Sequence, residues 1–407
     1  MYIFKAAVVG AGTMGGEIAQ VISFSGLPLV LKDIDEKMLE RGMAKAREIY
    51  QRRVDKGKMS AGEMQAKMDL ITPTLTYEGF EDVDIVIEAV PERMDIKKRV
   101  FQELDEVCPE QTIFASNTSA LSISEMGAAT KRPHKVVGMH FFNPASVMKL
   151  VEVIPGLDTS QETVDDVVMF AESLRKIPVV VQECPGFLVN RLLMPYLNEA
   201  TKALEEGAAT ATEIDRAVVE WGMPMGPFTL MDMLGLDVCA HVGQYLYSEY
   251  GDRMEPARLF EKLVAAGRLG EKTGAGFYDH PGGESEVVYK MIKELQDSGA
   301  VRTGTKFSVE RLMYPLINEA ALCVQEHIAS ISDIDMAMVA GSGMTYGGER
   351  IGPLAIADKI GLDVVVAKLE ELAKELGPRF LPSRPLKLRV RAGHLGVKTG
   401  KGFHEYA

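Results

Sequence analysis

The sequence predicts an α/β domain followed by an all-α region that contains two copies of one helical domain. In the first 184 residues, short apolar runs that are typical of strands alternate with stretches of helical spacing. After Cys184 the strand-like runs become rare and helical patterns dominate, and Pro185-Gly186 marks a boundary. The helical part also repeats its own motifs about 120 residues further along the chain.

Strand and helix patterns alternate regularly in the N-terminal region. An apolar run at 6–9 precedes a helical stretch from Thr13 to about Ser25, and a second apolar run ends at Lys32-Asp33. Residues 35–70 look helical as a whole. Further strands are predicted at 84–89, 113–116, 136–140 and 150–154. This order predicts a mainly parallel, doubly wound sheet of the Rossmann-like kind over residues 1–184.

The helical region carries an internal repeat. Residues 191–200 recur at 311–320, and the glycine-rich segment 269–277 recurs at 395–403. The offset grows from 120 to 126 residues, which predicts an insertion in the second copy near residues 344–350. Two copies in one order indicate tandem homologous domains. We therefore predict a first helical domain at 185–280, a linker at 281–304 and a second helical domain at 305–407.

Composition and charge limit the classes of protein. With 407 residues, 46% of them hydrophobic and 25% charged, the chain fits a globular protein of two or three domains. Its net charge of −13 argues against nucleic acid or an anionic membrane surface as a partner. The four scattered cysteines lack metal-ligand spacing, and neither a membrane span nor a secretory or transit signal is evident. We expect a cytoplasmic protein with buried, reduced cysteines, no membrane attachment and no metal.

The turn after the first strand has the spacing of a dinucleotide-binding fingerprint, G-x-G-x-x-G, between a strand and a helix. Its six residues are Gly10, Ala11, Gly12, Thr13, Met14 and Gly15. In this context the glycines bring backbone and a helix N-terminus close to a pyrophosphate. Asp33 lies 18 residues after Gly15, where a carboxylate accepts hydrogen bonds from ribose hydroxyls and favours NAD over NADP.

A histidine and a glutamate occupy neighbouring apolar strands. His140 ends the predicted strand 136–140, and Glu152 lies inside the next strand. A carboxylate inside an apolar strand is costly unless it is paired, so we expect Glu152 to hold one ring nitrogen of His140. The other nitrogen is then free to act as the base in oxidation of an alcohol by a nicotinamide. The residues alone leave a structural core histidine equally open.

Two further polar residues are candidates for holding the reacting oxygen of the substrate. Ser119 belongs to the sequence Ser-Asn-Thr-Ser at a predicted strand end, and Asn190 lies at the start of the helical part. A hydroxyl and an amide can both polarise such an oxygen. Each residue is also explained as a helix cap, because Ser, Thr and Asn satisfy the amides of a first helical turn.

Taken together, the motifs resemble those of the L-3-hydroxyacyl-CoA dehydrogenases of fatty-acid β-oxidation. The resemblance covers Ala7 to about Asp279, and the internal repeat extends it to the C-terminus. The motifs that carry it are GAGTMG (10–15), IEAVPE (87–92), SNTS (116–119), GMHFFNP (138–144), MKLVEV (148–153), PGFLVNR (185–191) and KTGAGF (272–277).

This resemblance implies an activity and a set of residue roles. The activity is NAD-dependent oxidation of (S)-3-hydroxyacyl-CoA to 3-oxoacyl-CoA, in fatty-acid β-oxidation or 3-hydroxybutyryl-CoA metabolism. His140 would be the general base and Glu152 its orienting partner, with Ser119 and Asn190 on the substrate. The implied cofactor-binding residues are Gly10, Gly12, Thr13, Met14, Gly15, Asp33, Glu92, Lys97, Asn117, Asn143 and Lys272.

A basic cluster is the predicted contact for the CoA part of the substrate. By resemblance, a helical hairpin at 41–58 faces CoA, and this stretch contains seven cationic side chains but only two acidic ones, Glu48 and Asp55. Arg52 and Lys56 are predicted to bind its phosphates. Each of these side chains alone is equally explained as part of a solvated helix face.

The duplication departs from the shorter members of the family, which carry one helical domain and dimerise through it. Two copies predict either a monomer with an internal pseudo-dimer or a homodimer. Glu310 stands in the second copy where the first has Asn190, so the second copy is predicted to be structural.

Two other functions stay open on the sequence. One is a dehydrogenase of a 3-hydroxy acid that does not carry CoA, and the basic cluster argues against it. The other is an NAD-binding protein without catalysis, since a fold does not fix a function. The pairing expected for His140 and Glu152 argues against that second alternative.

Overall fold

Two compact units make up the computed structural model, which describes residues 2–406. The first unit ends at Phe187 and the second begins at Leu188, whereas the sequence placed the boundary at Cys184. No helix of these described residues is long and apolar enough to cross a membrane. The four cysteines are buried, as expected, and none of them is in a disulfide.

An eight-stranded sheet forms the centre of the first unit, with the spatial order β3-β2-β1-β4-β5-β6-β7-β8. Neighbouring strands are parallel except β6 and β7, which run antiparallel. The predicted fold class, a Rossmann-like domain followed by a helical region, is confirmed. The strands are β1 (Ala6–Val9), β2 (Leu29–Lys32), β3 (Ile71–Thr74), β4 (Ile85–Glu88), β5 (Ile113–Ser116), β6 (Val136–Phe141), β7 (Leu150–Pro155) and β8 (Ile177–Val180).

The two edge strands of this sheet were not predicted. β3 contains Pro73 and β8 contains Pro178, and each strand is only partly buried. A proline lacks the N–H that a central strand needs, so it is tolerated at sheet edges. The same residue lowers the strand signal of a four-residue run, which explains why the pattern missed both edges.

Helices cover the sheet of the first unit. They are α1 (Thr13–Ser25), α2 (Glu36–Asp55), α3 (Ala61–Met68), α4 (Met94–Val107), α5 (Ile123–Gly127) and α6 (Gln161–Ser173). The helical stretch predicted at 35–70 is a hairpin of α2 and α3. The bounds 41–58 expected for the hairpin were wrong, because that range covers most of α2 and the turn after it. The turn of the hairpin ends at Ser60, whose hydroxyl accepts the N–H of Glu63 while the Glu63 carboxylate accepts the N–H of Ser60.

The second unit contains both helical copies. The first copy consists of α7 (Val189–Glu205), α8 (Ala211–Trp221), α9 (Pro227–Leu234), α10 (Leu236–Tyr250) and α11 (Arg258–Ala265). The second copy consists of α13 (Glu310–Gln325), α14 (Ile331–Ser342), α15 (Pro353–Ile360), α16 (Leu362–Leu376) and α17 (Arg384–Arg391). The same five helices thus recur in the same order.

The segment expected to be a linker has structure of its own. A short hairpin of β9 (Tyr278–Asp279) and β10 (Gly283–Glu284) precedes α12 (Glu286–Asp297). The helix α12 buries Val288, Ile292 and Leu295. Its Glu294 also lies 2.9 Å from Lys262 of α11, so the segment packs on the first copy.

Reciprocal ion pairs join α7 to α13. Arg191 Nε lies 2.8 Å from Glu319 Oε1, and Arg311 Nε lies 3.1 Å from Glu199 Oε2. Both arginines are fully buried. Because Arg191 corresponds to Arg311 and Glu199 to Glu319 in the repeat, each copy contributes the same groups, as in an isologous dimer interface.

The insertion of the second copy contacts the first copy. Thr345 donates its N–H and its hydroxyl to the carbonyl of Gly222, at 3.0 and 2.8 Å. Tyr346 packs against Trp221 with ring centroids 5.2 Å apart. The insertion therefore adds a second point of attachment between the copies, at the end of α8.

Candidate active site

The loop between β1 and α1 has the shape that the fingerprint predicts. Gly10 has φ +100°, a conformation that residues with a side chain rarely adopt. A Cβ on Gly15 would lie 1.7 Å from the carbonyl oxygen of Gly10, so only glycine lets the helix start this close to the strand. These two glycines are required by the fold of the loop itself.

Gly12 and Asp33 show that the loop fits a dinucleotide. A Cβ on Gly12 would meet nothing nearer than the Met38 side chain at 3.8 Å, so the packing of the protein does not require glycine there. An open backbone at that point lets a pyrophosphate approach the first N–H groups of α1, including those of Thr13 and Met14. Asp33 lies beside the loop and accepts the N–H of Ala11 at 2.7 Å, which fixes its carboxylate next to the glycines, and its contact with a ribose stays a prediction.

His140 and Glu152 face each other across the antiparallel pair β6 and β7. Nδ1 of His140 lies 2.7 Å from Oε2 of Glu152. Glu152 is fully buried and His140 is 5% exposed. An ionised carboxylate only accepts hydrogen bonds, so Nδ1 carries the proton and Nε2 of a neutral imidazole has its lone pair available.

The surroundings of the imidazole restrict its position. Phe142 and Phe187 lie with ring centroids 4.5 and 5.9 Å from that of His140. The side-chain oxygen of Asn117, at the end of β5, accepts the N–H of Phe141 at 2.9 Å and ties the ends of β5 and β6 together. Asn143 is exposed two residues after β6. Both asparagines therefore lie near the carboxyl end of the strand that carries His140.

A buried lysine organises the loop that carries Ser119. Lys97 is 1% exposed, and its Nζ lies 2.8 Å from Glu88, 3.1 Å from Glu92 and 3.3 Å from the carbonyl of Val90. Three acceptors match the three N–H donors of an ammonium group. This arrangement places Lys97 behind Glu92 as a positioning group.

Glu92 connects that lysine to the Ser119 loop. One of its oxygens accepts the Thr118 hydroxyl at 2.5 Å and the N–H of Ser119 at 2.9 Å. Burial alone would raise the pKa of Glu92, but the charge of Lys97 and these hydrogen bonds hold it below its usual value. An ionised Glu92 therefore fixes the backbone of Ser119, whose side chain is half-buried.

Glu88 is a member of this network that the sequence analysis did not single out. It ends β4, is fully buried, and accepts the Ser116 hydroxyl at 2.6 Å as well as Lys97. The signal was present, since a carboxylate in an otherwise apolar strand is the pattern that drew attention to Glu152.

Two of the predicted site residues belong to the second unit. Asn190 lies in the first turn of α7. Lys272 lies 2.5 Å from Asp237, and its counterpart Lys398 lies 2.5 Å from Asp363 in the second copy. The recurrence of this pair shows a structural role for the lysine, and its cofactor contact stays a prediction.

Arg52 and Lys56 line a strongly basic pocket of about 390 Å³ in the first unit. Ser146 and Val147 of the connection from β6 to β7 also line it. Burial, aided by the charge of Lys149, lowers the pKa of Lys176 to about 8. The six cations around the pocket are Arg52, Arg53, Lys56, Lys149, Arg175 and Lys176, of which the last two and Lys149 were not predicted.

Family models decide the relationship of the chain. Residues 5–184 match the model described as "3-hydroxyacyl-CoA dehydrogenase, NAD binding domain". Residues 186–280 and 307–406 each match "3-hydroxyacyl-CoA dehydrogenase, C-terminal domain". The chain belongs to the 3-hydroxyacyl-CoA dehydrogenase family. NAD is therefore the cofactor that its N-terminal domain binds, which confirms the predicted family and cofactor.

Individual members of the 3-hydroxyacyl-CoA dehydrogenase family resemble the chain over different lengths. A fatty acid oxidation complex subunit alpha from Psychrobacter arcticus is 39% identical over 98% of the chain, which spans 56% of that relative's length. The crystal structure of 3-hydroxybutyryl-CoA dehydrogenase from Escherichia coli K12 matches with a TM-score of 0.86 and 30% identity, over 96% of this chain and 99% of that one. The (S)-3-hydroxybutyryl-CoA dehydrogenase of Ralstonia eutropha is 40% identical with a TM-score of 0.66, over 70% of this chain and 100% of that one.

Proposed function

We propose that the chain oxidises (S)-3-hydroxyacyl-CoA thioesters to 3-oxoacyl-CoA with NAD, and that His140 is the general base. The observation that carries the proposal is the contact of 2.7 Å between His140 Nδ1 and Glu152 Oε2. This contact fixes the tautomer and orientation of the ring, which a base at a hydride-transfer site requires.

The chemistry follows from the free nitrogen of that ring. Nε2 of His140 takes the proton of the C3 hydroxyl, and the oxygen becomes a carbonyl as the hydrogen on C3 departs with its electron pair. NAD, when bound, supplies the acceptor for that hydride. The imidazolium formed at His140 is stabilised by the carboxylate of Glu152.

Ser119 and Asn190 are the proposed contacts for the oxygens of the substrate. A hydroxyl or amide donor that polarises a reacting oxygen removes the need for a metal ion. Glu92 supports the role of Ser119, because it holds the Ser119 backbone in place through the N–H at 2.9 Å. Asn190 is proposed because its amide is the polar group at the start of α7 and is replaced by Glu310 in the second copy.

The basic pocket supports a CoA ester over a free 3-hydroxy acid. Six cations around one pocket suit a ligand with several phosphates, and a free acid carries one negative charge. Arg52 and Lys56 are the proposed phosphate contacts. The loop between β6, which carries His140, and β7, which carries Glu152, also lines the basic pocket. One loop therefore borders both the pocket and the pair of His140 and Glu152.

Replacement of His140 by glutamine is the experiment that tests the proposal. We expect kcat for 3-hydroxybutyryl-CoA to fall by about 10²–10⁴-fold because general base catalysis is lost, while NADH binding measured by fluorescence stays intact. His280→Gln is the matched control, since His280 also pairs with a buried carboxylate, at 2.8 Å from Asp232, and is not among the proposed site residues.

Two outcomes would contradict the assignment. Full turnover in His140→Gln would show that the histidine is not the general base. Equal rates of the wild-type protein with 3-hydroxybutyrate and 3-hydroxybutyryl-CoA would show that the enzyme does not recognise the CoA part of its substrate.

A further inference from the structure

An almost entirely apolar cavity of about 370 Å³ lies inside the first helical copy, between α7, α10 and α11. Its buried lining includes Met194, Leu246 and Phe260, whereas Gln244 and Glu261 are exposed at its opening. The volume is within the range of small-molecule sites, roughly 300–1,000 Å³. The cavity is therefore large enough for an apolar group of a ligand.

At four lining positions on α7 and α10, the second copy has larger side chains than the first. The corresponding pairs, first copy before second, are Met194 and Tyr314, Cys239 and Val365, Ala240 and Val366, and Gly243 and Leu369. Leu369 and Val365 are fully buried, so the same arrangement of helices accepts the added volume. An unfilled apolar cavity lowers the stability of a fold. The smaller residues of the first copy therefore lower the stability of its fold, and binding of a ligand in the cavity would explain why they are kept.

The helix α7 connects the cavity to the proposed substrate contact. Asn190 and Met194 are four residues apart on this helix, so they share one face and lie about 6 Å apart along its axis. In the second copy both features differ together, since Glu310 replaces the amide and Leu369 occupies the position of Gly243. The cavity and the amide thus go together.

We propose that this cavity receives the far end of the acyl chain of the substrate, so that the first copy favours acyl chains longer than four carbons. The inference rests on the proposed function. Each methylene group that leaves water for an apolar site raises affinity by up to about fourfold. The cavity beside α7 is an apolar site in which the acyl chain of a bound substrate could gain this affinity.

The test is a chain-length series of 3-hydroxyacyl-CoA substrates with the wild-type protein and with Gly243→Leu. The new side chain would meet Met194 Cε, the flexible end of a methionine, at 3.1 Å from its Cβ, so the fold tolerates it. We expect wild-type kcat/KM to rise at least about tenfold from four to eight carbons. Gly243→Leu should keep the four-carbon activity and lose the rise. An equal rise in both proteins, or none in the wild type, overturns the proposal.

Two variants serve as controls. Leu369→Ala opens the corresponding space in the second copy, and we expect a lower unfolding temperature with an unchanged chain-length profile. Ala240→Val copies Val366 with a smaller change of volume and should reduce the preference for long chains in part. It decides the question if Gly243→Leu fails to fold, as judged by circular dichroism.

A binding measurement separates this inference from the proposed function. Dodecanoate is titrated by calorimetry into the wild-type protein and Gly243→Leu. If the wild-type protein oxidises no acyl-CoA, the proposed function is wrong, and binding of dodecanoate by wild type alone still supports an apolar chain in the cavity. Equal binding by both proteins, or binding by neither, overturns the cavity assignment.

Discussion

The two helical copies preserve their packing contacts and differ at the positions proposed to serve the substrate. In the first copy Tyr278 donates to Asp215 and His280 contacts Asp232. The second copy has the same two buried aspartates, but the tyrosine and histidine have exchanged places. There His404 contacts Asp335 and Tyr406 donates to Asp358. The requirement at these sites is a polar partner for a buried carboxylate, and either side chain meets it.

The differences at Asn190 of α7 and Gly243 of α10 have no such compensation. Asn190 is replaced by Glu310, and Gly243 by the fully buried Leu369. An amide and a carboxylate are not equivalent donors, and a glycine and a leucine do not fill the same volume. The comparison separates residues that hold the helical fold, which recur, from residues that are proposed to bind substrate, which do not.

The largest effect should come from the reciprocal arginines, which the comparison classes as structural. Arg191→Met and Arg311→Met each remove a fully buried cation from this network, in which Glu319 keeps Arg253 and Glu199 keeps Arg379. We therefore expect each to lower the free energy of unfolding by about 3 kcal/mol, the lower end of the range for a broken buried ion pair. Urea unfolding measures the loss. Arg216→Met is the control, because Arg216 is exposed and lies 3.9 Å from Glu220. Losses that differ greatly between the two arginines would show that the copies are not equivalent in packing.

Asn190 and Glu310 test the functional side of the comparison. Asn190→Ala should lower kcat/KM for 3-hydroxybutyryl-CoA by about 10²–10³-fold, as loss of one donor to a reacting oxygen does. Glu310→Ala should leave kcat/KM near the wild-type value. A similar loss in both variants would mean that the second copy takes part in catalysis.

The pH dependence of stability should differ between the copies at Glu205, which corresponds to Gln325. Burial raises the pKa of Glu205 to about 7, above its unfolded value of about 4.3. The folded state binds more protons in that window, so stability falls as pH rises through it. Glu205→Gln should have little effect near about pH 4 and stabilise by on the order of 2 kcal/mol near about pH 8, measured by urea unfolding. Gln325→Glu is the control, because Gln325 is exposed and a glutamate there should change the free energy of unfolding little at either pH.

The smallest effect is expected at the exposed lysine pairs. Lys272→Met and Lys398→Met should each change the free energy of unfolding by no more than about 1 kcal/mol, since both pairs are exposed. If Lys272 also contacts NAD as predicted, KM for NAD rises in Lys272→Met alone. Equal KM values in the two variants would leave Lys272 with its structural role only.

The sequence predicted most of the sheet and the pairing of His140 with Glu152, because both depend on local pattern. Apolar runs specify strands, and a carboxylate in an apolar strand requires a partner nearby. It did not predict the edge strands β3 and β8, whose prolines weaken the strand pattern. The basic pocket was predicted only in part, since Arg175 and Lys176 are brought to Arg52 by tertiary contacts.

The cavity illustrates the same limit. From the sequence alone, Gly243 is an ordinary small residue in a helix. Its role in forming the cavity is evident only when the structure shows the cavity beside it and the buried Leu369 at the corresponding position of the second copy. A repeat gives such a comparison within one sequence, but the volumes that make it informative come from side chains far apart in the chain.

The contact between α7 and α13 has a consequence for how the protein responds to dilution. Two separate chains held by the same reciprocal groups would dissociate by mass action as their concentration fell. Here the partner surface is part of the same polypeptide, so its effective concentration is constant. In such an assembly one half can carry the proposed substrate contacts, and the other half can then replace the amide by a carboxylate and fill the apolar cavity with larger side chains.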